Sequence, residues 1–278
     1  MRRYRVVEDR ASVDKLPSEV ELDRPNAARV YDYMLGGANN FAADRAFAEQ
    51  IKVVTGSQVR PSRVNRSFLR RAVGQLINVG ITQFLDLGSG IPTVGNVHEI
   101  AQRARPGTRV MYVDNEPVAV AYAEHLLADN PDAAIVQADL RDPAAVLGHP
   151  AVRELIDFNQ PVAVLMLAVL HFVPDEADPA GIVAGYRSAV PAGSYLALSH
   201  LAADGHAELR RAADWFQQTG SPMVLRDRAQ VAALFTGTDL LDPGLVWASL
   251  WRPDGADPEL PSPVDSGVYA GIGRIRTA

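Results

Sequence analysis

A short apolar run that ends in a glycine turn constrains this chain more than any other feature. The run 84–87 (Phe-Leu-Asp-Leu) is followed by Gly88, Ser89 and Gly90, and its acid, Asp86, lies two residues before the first glycine. Such a run predicts a buried parallel strand. Because glycine has no Cβ, the turn can be tight and can approach a ligand closely. A helix predicted directly afterwards would point its free N–H groups at the turn, so the unit predicts a nucleotide site.

The spacing beyond the turn indicates which nucleotide is bound. A dinucleotide fingerprint has a third glycine, but here that position is Thr93, where the helix is predicted to begin, and Pro92 lacks an N–H. A nicotinamide dinucleotide is therefore disfavoured. Asp86 could face a cationic group, and the pattern favours a ligand with an ammonium and a sulfonium, such as S-adenosylmethionine. An ordinary strand–helix turn that binds nothing remains the alternative.

Length and composition limit the remaining classes. A chain of 278 residues suits one large domain, or one domain with an added segment. A net charge of −6 argues against nucleic-acid and anionic-membrane partners. With no cysteine and no metal-ligand spacing among the histidines, neither a disulfide nor a metal site is expected. No signal peptide or apolar run of spanning length is recognisable, which predicts a cytoplasmic protein.

Helical patterns occupy the chain before its first clear strand. Residues 1–24 are polar and lack a period, so they predict a tail or a surface strap. Apolar spacing, glycine stops and proline starts then predict helices. The predicted helices run from Pro25 to the Gly36-Gly37 stop, from Asn39 or Asn40 past Ile51, and from Pro61 to Val79.

Strands and helices alternate from about residue 82 onward. This alternation predicts an α/β fold with a doubly wound parallel sheet and helices on both faces. Later segments predict two more helices, at 204–219 and 226–236, and terminal strands around 244–251 and 267–273, with an irregular Pro-rich loop at 252–265. The alternating strands are predicted near 82–87, 109–113, 133–137, 161–167 and 194–199, and the helices between them near 94–104, 116–129, 143–156 and 178–189.

Ligands of such sheets bind outside the carboxyl ends of the strands, and an acid follows the second strand there. Asp114 lies 24 residues after Gly90, close to the spacing of an acid that grips ribose hydroxyls, and Asn115 follows it. A carboxylate can accept from both hydroxyls at once. The competing interpretation is that Asp114 caps the helix starting near Pro117.

The third and fourth strands end in further candidates. Asp139 could accept from an adenine amino group and Leu140 could cover the ring, although Asp139 lies in a turn in which Asp142 is the better helix cap. Beyond the fourth strand, Ala168 and its small or apolar neighbours would leave room for a methionine chain.

His171 is the one histidine predicted at a strand's carboxyl end. It is a candidate general base, with pocket lining or a structural role as the alternatives, because methyl transfer depends chiefly on alignment.

Several motifs together resemble a known family in the right order over roughly residues 23–275. The glycine turn and the strand ends are similar to class I S-adenosylmethionine-dependent methyltransferases. Two further segments resemble, more narrowly, the bacterial group described as S-adenosyl methyltransferases of unknown substrate. Those segments are Ala28–Gly37 (Ala-Arg-Val-Tyr-Asp-Tyr-Met-Leu-Gly-Gly) with Asn39–Arg45, and Asn65–Val73 with Gly95–Glu99.

The resemblance implies a fold, a division of the chain and a lid. It implies a Rossmann-like sheet of seven strands with the last antiparallel. Residues 1–80 would form an N-terminal tail and helical lid, and 81–278 the core, together one compact domain. Aromatic and thioether groups of the lid could surround a sulfonium. The lid residues expected to contact the cofactor are Tyr31, Met34, Gly36 and Asn39; packing on the sheet is the alternative.

The function expected from these features is methyl transfer from S-adenosylmethionine to an unidentified acceptor, most simply a small molecule. Asp86 and the glycine turn would hold the methionine end, Asp114 the ribose, and Asp139 with Leu140 the adenine. A non-catalytic sensor of S-adenosylmethionine or S-adenosylhomocysteine is the alternative, because a fold does not determine function. Neither the acceptor nor the oligomeric state follows from the sequence.

Overall fold

The computed structural model describes residues 21–56, 61–93, 95–204, 206–217, 219, 221–257, 260 and 262–276. Most of the predicted N-terminal tail lies outside these residues. Three helices come first: α1 (Ala27–Leu35), α2 (Ala42–Thr55) and α3 (Pro61–Asn78). Asn26 caps α1 with its side chain, and Gly36 ends it in the left-handed conformation (φ 85°), as the glycine stop predicted.

The strands of the described residues form one sheet of eight, whereas seven were expected. Seven lie on a continuous path in the order β3-β2-β1-β4-β5-β8-β6, and β7 pairs with β8 off that path. β1 to β5 are parallel, whereas β8 is antiparallel to β5, as predicted for the last strand. The strands are β1 (Gln83–Leu87), β2 (Arg109–Asp114), β3 (Ala133–Gln137), β4 (Ala163–Leu167), β5 (Tyr195–Leu201), β6 (Thr238–Leu240), β7 (Val246–Trp247) and β8 (Val268–Ile275).

Several boundaries differ from the sequence prediction. The helix predicted at 143–156 is two helices, because Pro150 starts a new one and the His149 side chain accepts from Ala151 N. The strand expected around 244–251 is reduced to β7, followed by a 3₁₀ turn. β6 was not predicted, since three residues show no period. The remaining helices are α4 (Val97–Ala104), α5 (Pro117–Leu127), α6 (Pro143–Gly148), α7 (Pro150–Leu155), α8 (Pro179–Ser188), α9 (Ala207–Phe216) and α10 (Arg228–Ala233).

Alternate side chains of the fully buried strand β1 enter two different cores. Phe84 belongs to a cluster with Phe68 of α3, whereas Leu85 packs in a cluster with Tyr186 of α8. The sheet therefore carries helices on both faces, as the uninterrupted apolar strand indicated. Asp86, two residues after Phe84, faces the α3 side.

A buried ionic network attaches the N-terminal helices to the sheet. Arg29 of α1 donates to Asp44 of α2 (Nε–Oδ2 2.9 Å), and its guanidinium lies 3.6 Å from Glu116, just before α5. Asn26 also donates to Glu116 (2.6 Å). These contacts hold α1 beside the carboxyl end of β2. No helix within the described ranges is long and apolar enough to cross a bilayer.

Candidate active site

One large cavity, of about 890 Å³, lies at the carboxyl ends of the parallel strands and beneath α1, α2 and α3. Its acidic end collects every carboxylate among the described lining residues, all from the ends of β1, β2 and β3. The apolar end lies beyond β4, towards β5, α9 and residues 221–223. The acidic end is lined by Asp86, Asp114, Glu116 and Asp139, and the apolar end by Phe172, Leu201, Leu209, Phe216 and Met223.

The two glycines of the turn serve different purposes. Gly88 has φ 71°, and a Cβ there would stand 2.2 Å from Val169 Cγ2, so it permits close contact with the segment after β4. Gly90 has φ 67°, and a Cβ added to it would meet nothing within 4 Å, so it leaves room in the cavity. Between them, Ser89 Oγ is buried without a hydrogen-bond partner in the described part of the chain. That hydroxyl is available to a ligand.

The helix after the turn begins later than predicted. α4 starts at Val97 rather than near Thr93. The Glu99 carboxylate accepts from the amides of Gly95 (3.0 Å) and Asn96 (3.1 Å). An acid therefore occupies two backbone amides that lie just before α4, in the stretch where the helix was predicted to begin.

Glu116, not Asp114, is the N-cap residue of α5, and Asp114 instead bonds the backbone just before that helix. Its Oδ2 accepts from Gly90 N (2.7 Å) and its Oδ1 from Glu116 N (2.9 Å), so it joins the glycine turn to the start of α5. Burial raises the pKa of its carboxyl. Each oxygen keeps a further lone pair for a ligand hydroxyl. Asn115 also lines the cavity and is exposed.

Asp86 is a buried carboxyl without a hydrogen-bonding partner among the described residues. Burial raises its pKa to about 7, Asp114 adds to this, and Arg66 of α3 opposes it. An ammonium ligand would supply the charge that such a group lacks. Arg66 lines the same cavity, and its Nε is buried and unpartnered in the described structure.

At the end of β3, Asp139 and Leu140 line the cavity. Asp139 is half-buried and forms an ion pair with Arg141, whose Nε donates to Asp139 Oδ2 (2.8 Å). This pairing lowers the pKa of the Asp139 carboxyl. Leu140 is buried. Asp142, not Asp139, caps α6 by accepting from Ala145 N (2.9 Å), as predicted.

Beyond β4, Ala168 lines the cavity in a left-handed conformation, φ 55°. A non-glycine residue there is strained and needs support. Ser199 of β5 gives it, because Ser199 Oγ accepts from Ala168 N (2.9 Å) and donates to Asn65 Oδ1 (2.5 Å). Ser199 was missed from the sequence, since a lone serine in a buried strand has no recognisable signal.

Three of the four predicted lid residues, Tyr31, Met34 and Gly36, line the cavity. Asn39 is not among the residues that line it. Its backbone N–H instead donates to Asp32 Oδ2 (2.9 Å). Tyr31 is held by Asn65, whose Nδ2 donates to the phenol oxygen (3.0 Å).

Asp32 explains much of the distinctive Tyr-Asp-Tyr-x-Leu-Gly-Gly segment. Its buried carboxylate also accepts from Asn40 Nδ2 (2.8 Å), and a Cβ on Gly37 would meet Asp32 Oδ1 at 2.0 Å. The Gly-Gly pair and the two asparagines therefore shape the turn between α1 and α2. Only part of this motif faces the cavity.

His171 lines the cavity and is buried, and its Nδ1 has no partner within the described structure. Burial, with the nearby His200 and Arg226, holds the pKa of His171 well below its usual range. The ring is therefore neutral at pH 7. Phe172 lies beside it at 4.4 Å between ring centroids.

Arg226 is a buried neighbour of the His171 segment that the sequence did not reveal. This buried guanidinium donates to the carbonyls of Leu170 (2.9 Å) and Val173 (2.9 Å), and lies 2.9 Å from His200 Nε2. Arg226 therefore binds the backbone both before and after His171. Burial lowers the pKa of His200 to about 4, which leaves that ring neutral beside the cation.

Comparison with known proteins identifies a family and two similar solved structures. The profile of the S-adenosyl methyltransferase family matches residues 13–276. The structure of a DUF574 family protein from Streptomyces avermitilis MA-4680 is 38% identical, with a TM-score of 0.87, and the match covers 91% of this chain and 98% of that one. A candidate methyltransferase from Thermobifida fusca YX has the same identity and TM-score, with 92% and 97% covered. No curated protein sequence matches.

More distant structures support the fold alone. Human N-acetylserotonin methyltransferase in complex with S-adenosylmethionine is 15% identical, with a TM-score of 0.50, and the match covers 96% of this chain and 65% of that one. The family match and the two near relatives favour an enzyme over a sensor. They also confirm the cofactor that the glycine spacing predicted. The chain belongs to the S-adenosyl methyltransferase family and is an S-adenosylmethionine-dependent methyltransferase.

Proposed function

We propose that this enzyme methylates a small-molecule acceptor that enters the same cavity as the cofactor. The observation that carries the proposal is the joining of the acidic end and the apolar end in one cavity of about 890 Å³. That volume lies in the range of small-molecule sites, roughly 300–1,000 Å³.

The acidic end fits the cofactor. Asp86 would bind the ammonium group of the cofactor. Gly88 would shape the turn, and Gly90 and the unpartnered Ser89 hydroxyl would accommodate the methionine chain. Asp114 would bind the ribose hydroxyls. Unpaired buried groups of this kind are costly without a ligand, which supports the assignment. The remaining proposed contacts are Asn115, Asp139, Leu140, Ala168, Tyr31, Met34 and Gly36.

Held by these residues, S-adenosylmethionine would supply an electrophilic methyl group for an acceptor lone pair, and the electrons of the broken carbon–sulfur bond would stay on sulfur. The protein's own task is alignment and exclusion of water. Residues 1–80 would provide the lid through α1–α3, and 81–278 the core. His171 lies between the two ends, where its neutral ring would contact the acceptor and orient it. His171 is also the group that we propose to lie nearest to the proton that the acceptor loses.

Titration calorimetry with S-adenosylhomocysteine tests the cofactor assignment. Asp114→Asn should weaken binding by about tenfold or more, equivalent to about 1.4 kcal/mol, because charge-assisted bonds to the ribose are lost. Asp142→Asn is the matched control, since Asp142 caps α6 outside the cavity. Unchanged affinity in Asp114→Asn would remove this residue from the site. Conversion of S-adenosylmethionine to S-adenosylhomocysteine with a metabolite extract then tests turnover.

A further inference from the structure

The acceptor end of the cavity can be located from the order of the strands. The proposed adenosine contacts follow β2 and β3, on one side of β1, whereas β4 and β5 lie on the other side. An acceptor must approach the methyl group from that other side, where the apolar end lies. This inference rests on the proposed cofactor site.

Aromatic and aliphatic side chains form the apolar end. Phe216 of α9 lies 5.9 Å from Phe172 and 5.0 Å from Phe47 of α2, measured between ring centroids. Met223 and Leu209 are buried beside the same space. Rings and a thioether form a surface that suits a flat apolar ligand.

The apolar end has no anionic group among its described lining residues. Lys52, which also lines the cavity, is already paired with Glu49 (2.8 Å). A protonated amine placed among these side chains would lose its hydration without gaining a counter-ion, which is strongly unfavourable.

His171 is a buried polar group that adjoins this end, and Ser221 also lines it. The His171 ring is neutral, so it carries one N–H and one lone pair, and Nδ1 has no partner in the described structure. A hydroxyl can pair with such a ring without any charge being buried. A carboxylate would need a cation that the deep wall formed by α9 and residues 221–223 does not present among its described residues.

We propose that the methyl acceptor is an uncharged, ring-containing hydroxyl compound, with its ring between Phe172, Phe216 and Met223 and its hydroxyl at His171. Amines that are protonated at neutral pH and carboxylates are excluded as good ligands of this end.

The test measures binding of matched naphthalene probes to the protein saturated with S-adenosylhomocysteine. We expect 2-naphthol to bind at least tenfold more tightly than 2-naphthylmethylamine or 2-naphthoate in calorimetry at pH 7.5. Equal or tighter binding of the amine or the carboxylate, or no binding of any probe, would overturn the proposal. Failure of S-adenosylhomocysteine itself to bind would instead overturn the cofactor assignment.

Two variants locate the probe. Met223→Glu should abolish naphthol binding and improve the relative affinity of the amine, whereas Leu250→Glu, at an exposed site outside the cavity, should change neither. His171→Phe should weaken naphthol about fivefold and leave unsubstituted naphthalene unaffected, because one hydrogen bond is lost. Retained S-adenosylhomocysteine binding shows that each variant is folded. Identical losses for naphthol and naphthalene in His171→Phe would contradict the hydroxyl contact.

Discussion

The two ends of the cavity are built in opposite ways. The acidic end is made of residues close in sequence to strand ends, and its key side chain, Asp114, bonds the backbone of its own and the neighbouring strand's turn. The apolar end is assembled from α9, residues 221–223 and the segment after β4, which Arg226 holds from a distant part of the chain. The first end depends on local geometry, and the second on long-range packing.

The largest expected effect concerns the apolar end. Arg226→Met should lower the free energy of unfolding by about 4 kcal/mol, because it leaves the buried Val173 carbonyl without a donor and the Leu170 carbonyl with only the Val173 N–H. Denaturant unfolding measures this. Arg211→Met, which removes an exposed pair with Glu208, is the control and should cost less than about 0.5 kcal/mol. A small effect of Arg226→Met would mean that this end is held by packing alone.

The glycine turn provides the corresponding test of the acidic end. Gly88→Ala should destabilise the protein by about 2–3 kcal/mol, since the new Cβ would overlap Val169 as well as strain the backbone. Gly90→Ala adds only the backbone strain, about 1 kcal/mol, because the space beside it is open. Thermal unfolding of the pair separates the two costs. Equal losses would show that contact with Val169 is unimportant.

Asp86 predicts a pH dependence that belongs to the acidic end alone. Burial raises its pKa from 3.8 to about 7, so the folded chain retains a proton that the unfolded chain releases between those values. The contribution of Asp86 to stability should therefore fall as pH rises from about 4 to 7 and then level off. An ammonium ligand needs the ionised form, and cofactor affinity should rise up to about tenfold between pH 6 and 8.

Calorimetry in buffers of different ionisation enthalpy should find about half a proton released on cofactor binding at pH 7. Asp86→Asn should show neither this release nor the associated change in affinity between pH 6 and 8. If Asp86→Asn showed the same proton release and the same pH dependence of affinity as the wild type, another group would be titrating. Asp86 would then be removed as the ammonium partner.

The smallest effect is expected at Asp139. This half-exposed carboxylate is paired with Arg141, so Asp139→Ala should change stability by less than about 1 kcal/mol. If it contacts the adenine amino group, affinity for S-adenosylhomocysteine should fall by about fivefold. Arg141→Ala is the control, because it frees the carboxylate without removing it. A loss of affinity in Arg141→Ala alone would transfer the contact to Arg141.

Sequence reasoning succeeded where chemistry and position were local. The run into Gly88 and Gly90, the spacing to Asp114 and the cap at Asp142 each depend on a few consecutive residues. It gave less where position depended on packing. The turn after α1 is set by Asp32, which accepts from the Asn39 backbone, and Asn39 is not among the residues that line the cavity. The start of α4 was misplaced because Glu99 caps the preceding amides.

The amino-acid sequence by itself determined the alternating sheet, the glycine turn, the acids at the strand ends and the cofactor class, because backbone propensity and strand order act over short spans of chain. Only the tertiary structure decided that Ser199 supports Ala168, that Arg226 brackets a neutral His171, and that α9 closes an apolar space beside it. These contacts join residues far apart in the chain. Their energies come from burial and from pairing between distant groups, which no local pattern encodes.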